Sequence, residues 1–216
     1  MTLKLKDPGS AITHGIAMLL ALIGAVPLLF KAASSSGAET IIPLAIFIFT
    51  MFLLYTASTV YHSVDSTEKV NRCLRKIDHM MIFIMIAGSY TPICLITLNN
   101  TLGYGLCIAV WTIAIIGIIF KAAWITCPKW VYIGMGWLCV LALVPIYHSL
   151  SHAGFGWLLA GGIIYTIGGV IYGLKLPIFD AKHKNFGSHE IFHIFVMAGS
   201  ICHFIVMYFF VCPLAV

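Results

Sequence analysis

Charged side chains are scarce in this sequence. Lysine, arginine, aspartate and glutamate together make up 9% of its 216 residues, whereas a soluble domain carries about 25%. Hydrophobic residues make up 61% of the chain, and the mean hydropathy is +1.04. This balance excludes an ordinary soluble domain and predicts an integral membrane protein.

Closely spaced cysteines are also missing. The seven cysteines include no C-x-x-C pair, and most lie inside apolar stretches. A disulfide framework or a thiolate metal site is therefore not expected, and the thiols are interpreted as small apolar packing residues. The sequence also lacks internal repeats, low-complexity tracts and long polar connections, so residues 1–216 are predicted to form a single domain.

Long apolar runs, in contrast, are abundant. Seven runs have about the 17–25 residues that a helix needs to cross a bilayer, and short polar segments separate them. Because backbone amides in lipid must be satisfied within the segment, these runs predict an all-α bundle of seven transmembrane helices. The predicted spans are residues 12–30, 41–62, 77–98, 102–122, 131–148, 157–174 and 189–211.

Basic residues are distributed unevenly between the two ends of these spans. Eleven of the twelve lysines and arginines fall on the same side as the N-terminus, and Lys31 alone falls on the other side. The positive-inside rule then predicts a cytoplasmic N-terminus and a C-terminus outside. The formal net charge of +5 is accordingly attributed to topology and to contact with anionic headgroups, not to nucleic-acid binding.

Several ionisable residues share one predicted depth in the membrane. His62 ends the second span, with Ser58 one turn away on the same helical face. Asp78 lies in the first turn of the third span, and His189 and His193 open the seventh. All of these positions fall on the predicted cytoplasmic side. Ionisable groups inside a membrane usually face the bundle interior and pair with a partner, so we expect these side chains to meet.

Three histidines at one depth match the requirements of a zinc site. His189 and His193 are four residues apart and project from one helical face, and His62 would face them from another helix. A fourth coordination position would remain for water. Each histidine taken alone has an alternative interpretation, as a hydrogen-bonded residue near the interface. His203 lies about 15 Å further along the axis than His193 and is too distant to share its ion.

Other polar residues near the spans are interpreted as structural. Ser188 fits the N-cap of the seventh span, with Glu190 in the first turn favouring the helix dipole. His148 and His152 form a second pair four residues apart, but they lie on the opposite side without a partner carboxylate. His183 is interpreted as a solvated loop residue.

Three short motifs carry a family resemblance. The stretches "STVYH", "KIDH" and "SHEIFH" resemble the three signatures of the progestin and adipoQ receptor superfamily, and with "THGI" and "AGSYTP" the chain is similar to its bacterial hemolysin III branch. The resemblance covers essentially the whole chain. That branch typically has Glu-x2-Asn-x3-His before the first span, and this chain reads "DPGSAITH". The roles of Asp7, Ser10 and His14 therefore stay open.

The resemblance implies a seven-helix protein of the bacterial cell membrane with zinc near the cytoplasmic helix ends. It implies that His62, His189 and His193 are the zinc ligands. It also implies that Asp78 and Ser58 hold or activate a water at the open position. The activity that it implies is hydrolysis of a lipid amide or ester, similar to that of a ceramidase.

A lipid hydrolase needs room for an acyl chain, so membrane lipid is the expected partner. We expect the cavity between the helices to be lined by residues such as Phe83, Met85, Phe192 and Phe195. Three alternatives stay open: a non-enzymatic, zinc-stabilised sensor or regulator of lipid state or membrane energetics, a cytolytic pore, and an ion transporter. The substrate and the oligomeric state are not predicted.

Overall fold

The fold is helical throughout the part of the chain that the structure describes. The computed structural model describes residues 5–35, 37–123, 128, 130–174 and 187–215, and these contain helices and turns but no strand. Within them, seven helices are long and apolar enough to cross a membrane, which confirms the predicted fold class. These helices are α1 (Pro8–Ser34), α2 (Ala38–Ser63), α3 (Glu68–Leu98), α4 (Thr101–Ala123), α5 (Trp130–Ser149), α6 (His152–Gly173) and α7 (Ser188–Leu214).

The helix α3 begins well before the third predicted span. Its first turns carry charged residues, which lower the hydropathy, so the apolar run marks only the later part of the helix. Thr67 is the N-cap, and its hydroxyl accepts a hydrogen bond from the Val70 N–H at 3.4 Å. Arg72 pairs with Glu68 one turn away on the exposed side. Asp78 therefore lies about three turns inside α3 and not in its first turn.

The helix α5 is interrupted by a 3-10 segment, Trp137–Ala142. Pro145 lacks an N–H, so a carbonyl one turn earlier loses its α-helical donor. The Tyr90 hydroxyl of α3 donates to the Gly136 carbonyl at 2.6 Å and accepts from the Cys139 N–H at 2.8 Å. One side chain of a neighbouring helix thus satisfies backbone groups at the interruption, which water could not reach inside a bilayer.

Neighbouring helices approach closely where one of them carries glycine. A Cβ placed on Gly88 of α3 would lie 1.9 Å from Oγ1 of Thr50 in α2. A Cβ placed on Gly117 of α4 would lie 2.5 Å from the Phe83 ring of α3. Small residues at such crossings allow the backbones of membrane helices to pack against each other. These contacts fix α3 between α2 and α4.

Four helix ends meet at one end of the bundle. The chain crosses back and forth, so α2 ends where α1, α3 and α7 begin. α7 packs along α6 and also returns to α1. The backbone N–H of Asp7 donates to the carbonyl of His62 at 2.9 Å, which ties the start of α1 to the end of α2. This end of the bundle contains the site residues predicted from the sequence.

The membrane face that this end occupies stays a prediction, and paired cysteine variants test it. Ser66 and Asn100 are exposed at opposite ends of α3, and Cys73 is exposed near its start. In a Cys73→Ser background, a membrane-impermeant maleimide applied to intact cells should label Asn100→Cys and not Ser66→Cys, because the positive-inside rule places residues 64–67 in the cytoplasm. Both variants should react after lysis. Labelling of Ser66→Cys alone in intact cells would show the reverse orientation.

Candidate metal centre

Three imidazoles come together at this end of the bundle. His62 lies in the last turn of α2, and His189 and His193 lie in the first two turns of α7. One potential ligand atom from each ring lies within 4.8 Å of the other two, and the Nε2 atoms of His62 and His189 are 3.2 Å apart. Helices that are separated by more than a hundred residues in sequence thus bring the three histidines into one group.

The spacing of two of these nitrogens fits a tetrahedral metal ion. Zinc binds imidazole nitrogen at about 2.0–2.1 Å, so two ligand nitrogens on a tetrahedral ion lie about 3.3 Å apart. The distance of 3.2 Å between the Nε2 atoms of His62 and His189 agrees with that separation. The ring centroids of His189 and His193 are 4.5 Å apart, which places both rings on one face of α7. A donor set of three imidazoles suits zinc, copper, iron or nickel.

The first turn of α7 is held by its own cap and by α1. Gly187 occupies the N-cap position and Ser188 is the first helical residue, so the prediction of Ser188 as N-cap is wrong by one residue. The Glu190 carboxylate accepts from the Gly187 N–H at 2.8 Å, as in a capping box. Its other oxygen accepts from the Ser10 hydroxyl of α1 at 2.5 Å. Glu190 therefore fixes the turn that contains His189.

The first turns of α1, together with Asp7 just before them, cover the imidazole cluster. Asp7 Oδ2 lies 2.9 Å from Nδ1 of His62, and Thr13 Oγ1 lies 3.3 Å from Nδ1 of His193. The ring of His14 stacks on that of His193, with centroids 3.5 Å apart. The sequence left Asp7 and His14 without a role and gave no signal for Thr13. For Asp7 and His14 the available signal was helical spacing, because residues at intervals of three or four positions share one helical face.

A carboxylate and a hydroxyl lie beside the cluster. Asp78 of α3 and Ser58 of α2 are buried, with 9% and 1% of their surface exposed. The Asp78 carboxylate lies close to Ser58 and within electrostatic range of His62 and Lys121. A carboxylate at membrane depth is costly without such partners. The fold thus brings Asp78 and Ser58 next to the three histidines.

A cavity of about 700 Å³ connects these groups with the interior of the bundle. Ser58, Asp78 and the three histidines of α7 line it, together with apolar side chains of α3, α5 and α6. Most of its wall is apolar, and Ser58, Asp78, His189 and His193 form a polar part of it beside the imidazole cluster. Cavities of roughly 300–1,000 Å³ with a few polar groups in an apolar wall are typical of small-molecule sites.

The residues that line this cavity differ in part from the predicted ones. Met85 and Phe192 line it as expected, but Phe83 and Phe195 do not. The Phe83 ring packs on Gly117 of α4, and Phe195 packs on Gly168 of α6. Both side chains fill a helix crossing at which the neighbouring helix offers a glycine, and hydropathy gives no information about such crossings.

His148, His152 and His203 lie apart from the cluster. His148 and His152 are exposed at the opposite end of the bundle. His203 lies in the wall of the cavity, where its ring contacts Tyr165 with centroids 5.2 Å apart. His183 falls outside the described residues.

Comparison with known proteins identifies full-length relatives. Residues 3–204 match the family described as Haemolysin-III related. The chain is 39% identical to Hemolysin-3 of Bacillus cereus over 215 residues, which cover 97% of this chain and 94% of that protein. It is 40% identical to the Hemolysin-3 homolog of Bacillus subtilis over 209 residues, which cover 95% of this chain and 94% of the relative.

A shorter similarity extends to eukaryotic receptors. The chain is 34% identical over 74 residues to an ADIPOR-like receptor of Saccharomyces cerevisiae, which covers 29% of this chain and 23% of the receptor. It is 38% identical over 61 residues to the adiponectin receptor protein of Drosophila melanogaster, which covers 27% of this chain and 14% of that protein. The family match, the two full-length relatives and the seven apolar helices show that this multi-pass membrane protein belongs to the haemolysin-III related family.

Proposed function

We propose that this chain is a zinc-dependent hydrolase of a lipid amide or ester. The proposal rests on one observation, a group of three imidazoles beside a cavity that a buried carboxylate and a hydroxyl also line. Structural zinc sites use four protein ligands, whereas catalytic sites use three and keep one position open. Among the described residues, the group that could hold a metal contains three histidines and no fourth histidine, cysteine or acidic ligand. That composition favours a catalytic site.

Each polar residue of the site then has a role. His62, His189 and His193 would hold the ion. When bound, zinc would activate a water molecule at neutral pH and polarise the scissile carbonyl. Asp78 accepts a proton from the attacking water and returns it to the leaving amine or alcohol, and the neighbouring Ser58 would orient Asp78 by a hydrogen bond. The acyl C–N or C–O bond breaks, the acyl carbon gains the hydroxyl, and the leaving group gains the proton.

The shape of the cavity supports a substrate with a long acyl chain. The cavity wall includes His193, which belongs to the cluster, and His203, which lies deeper in the bundle. These residues are ten positions apart on α7, which corresponds to about 15 Å along the helix axis. Apolar side chains such as Met85, Ile146 and Leu158 line the cavity. An acyl chain would bury its methylenes there while its carbonyl lies beside the imidazoles.

The direct test measures fatty-acid release by the purified protein from vesicles that contain either ceramide or a fatty-acyl ester. We expect release that stops when zinc is removed by a chelator and returns on addition of zinc but not magnesium, because three imidazoles bind magnesium poorly. Dye leakage and ion flux are followed on the same vesicles.

Each alternative function gives a different result in this assay. Bound zinc without turnover of amides or esters of any chain length would contradict the proposal and favour a zinc-stabilised regulator. Leakage of a trapped dye would favour a pore. Ion flux that Asp78→Asn abolishes, without dye leakage, would favour a transporter.

A further inference from the structure

The helix α1 supplies none of the three histidines of the cluster, yet its first turns and Asp7, the residue just before it, contact both helices that do. Asp7 reaches α2, and Ser10 and Thr13 reach α7. These contacts join residues that lie 55 and 180 positions apart in the sequence. α1 is therefore positioned to hold α2 and α7 in register at the place where the imidazoles meet.

The contact from Asp7 determines which nitrogen of His62 is available to a metal. A carboxylate only accepts hydrogen bonds, so Nδ1 of His62, 2.9 Å from Asp7 Oδ2, carries the ring proton. The lone pair is then on Nε2, and this is the atom that lies 3.2 Å from Nε2 of His189. A carboxylate behind a ligating histidine fixes its tautomer and orientation and raises the basicity of the ligand.

Thr13 has the same consequence for His193 by a different route. Its hydroxyl donates its single proton to backbone carbonyls one turn back, 2.9 Å from Gly9 O and 3.0 Å from Ser10 O. Both carbonyls can only accept and lie closer than Nδ1 of His193, 3.3 Å away, so we infer that the hydroxyl acts as the acceptor towards this nitrogen. Nδ1 of His193 carries the proton, which leaves the Nε2 lone pair for a metal.

We propose that Asp7 and Thr13 are positioning residues of the metal centre, each orienting one ligating histidine through its Nδ1 atom. The inference rests on the metal site of the proposed function, and it concerns binding of the ion and not turnover. Asp7 is well suited to a separate test. Its side chain is 43% exposed, and its backbone bond to His62 does not depend on the side chain. Side-chain variants can therefore remove the orienting contact and keep the backbone link.

The test is the zinc dissociation constant of the full-length protein, measured by competition with a chromophoric chelator. Asp7→Ala should weaken zinc binding by about 10–100-fold, the usual effect of losing a partner of a ligating histidine, and Asp7→Glu should restore most of it. The control for lost charge is Asp65→Ala, because Asp65 is exposed in the connection that follows α2 at the same end of the bundle. This control should bind zinc like the wild type.

Thr13 provides a second, independent pair of variants. Thr13→Val keeps the shape of the side chain but loses the acceptor, so it should weaken zinc binding, by about tenfold or more. Thr13→Ser keeps a hydroxyl and should bind nearly as well as the wild type. The two effects should be additive in an Asp7→Ala/Thr13→Val double variant, because each residue acts through a different histidine.

A double-mutant cycle separates orientation of a ligand from general support of the fold. Asp7→Ala should weaken zinc binding no further in a His62→Ala background, whereas it should keep its full effect in a Thr13→Val background. Equal weakening in both backgrounds, with a lower melting temperature of the zinc-free protein, would mean that Asp7 only supports the fold. Unchanged dissociation constants for both Asp7→Ala and Thr13→Val would also overturn the inference.

Failure of the positioning role and failure of the proposed hydrolase function give different results. Zinc binding that is unaffected by either substitution, in a wild type that hydrolyses lipid, would refute the positioning role alone. Weakened zinc binding in variants of a protein that never hydrolyses lipid would refute the hydrolase and support the positioning role. A wild type that binds no zinc would refute both.

Discussion

Replacing Asp78 with asparagine is expected to lower the rate of lipid hydrolysis by a factor of about 10²–10⁴, the usual contribution of a general acid or base. Asparagine has nearly the same shape and can still accept a hydrogen bond from Ser58, but it cannot take up a proton from water. The zinc content should stay at about one ion per chain, because the three imidazoles are unchanged. The measurement is the initial rate of fatty-acid release, with elemental analysis of the same sample.

The matched control for this substitution is Ser58→Ala, which removes the proposed hydrogen bond to Asp78 and leaves the carboxylate in place. Loss of that bond should cost about 1.5 kcal/mol, or roughly tenfold in rate, well below the effect of Asp78→Asn. Hydrolysis by Asp78→Asn at the wild-type rate would exclude a proton-transfer role for this residue. Loss of zinc from the same variant would mean that Asp78 is a ligand instead.

The seven spans could be predicted because a lipid environment requires a helix to be composed mainly of apolar residues. A helix in lipid must be apolar for about 20 residues, so its central part appears in the hydropathy profile. The charged start of α3 is invisible to that profile, because Thr67 and its capping bond, not apolarity, determine where the helix begins. The 3-10 segment of α5 depends on Tyr90 of another helix, so no local pattern predicts it.

The composition of the site could also be predicted in part. The direction of each span alternates, so the end of α2 and the starts of α3 and α7 must share one side of the membrane. The position of each residue along its span then predicts that His62, Asp78 and His193 lie at a similar depth in the membrane, and this needs no knowledge of packing. The side of the membrane on which they lie stays a prediction from charge alone.

The rotation of the helices about their axes could not be predicted in the same way. Which face of α1 meets α7 depends on packing between residues up to 180 positions apart, as in the bond from Ser10 to Glu190. One sequence contains no signal for such a pairing. This is why Thr13 was not predicted and why Phe83 and Phe195 were expected in the cavity wall, although each fills a helix crossing.

Truncation of His193 to alanine is expected to remove zinc from the protein. Zinc sites with four ligands bind with about 10–16 kcal/mol, or about 2.5–4 kcal/mol for each ligand, so the loss of one ligand should weaken binding by roughly 10²–10³-fold. Zinc at 100 times its dissociation constant stabilises a folded protein by about 2.7 kcal/mol. His193→Ala should lose this stabilisation. The measurement is the melting temperature in detergent with and without zinc.

Truncating a buried histidine also leaves a void, so the control must create one away from the cluster. His203 lies on the same helix and in the wall of the same cavity, where its ring contacts Tyr165. His203→Ala should lower the melting temperature by the same amount with and without zinc, because only packing is lost. His193→Ala should instead abolish the difference between the two conditions. If zinc stabilised His193→Ala as much as the wild type, His193 would not be a ligand, and a centre built on three histidines would be wrong.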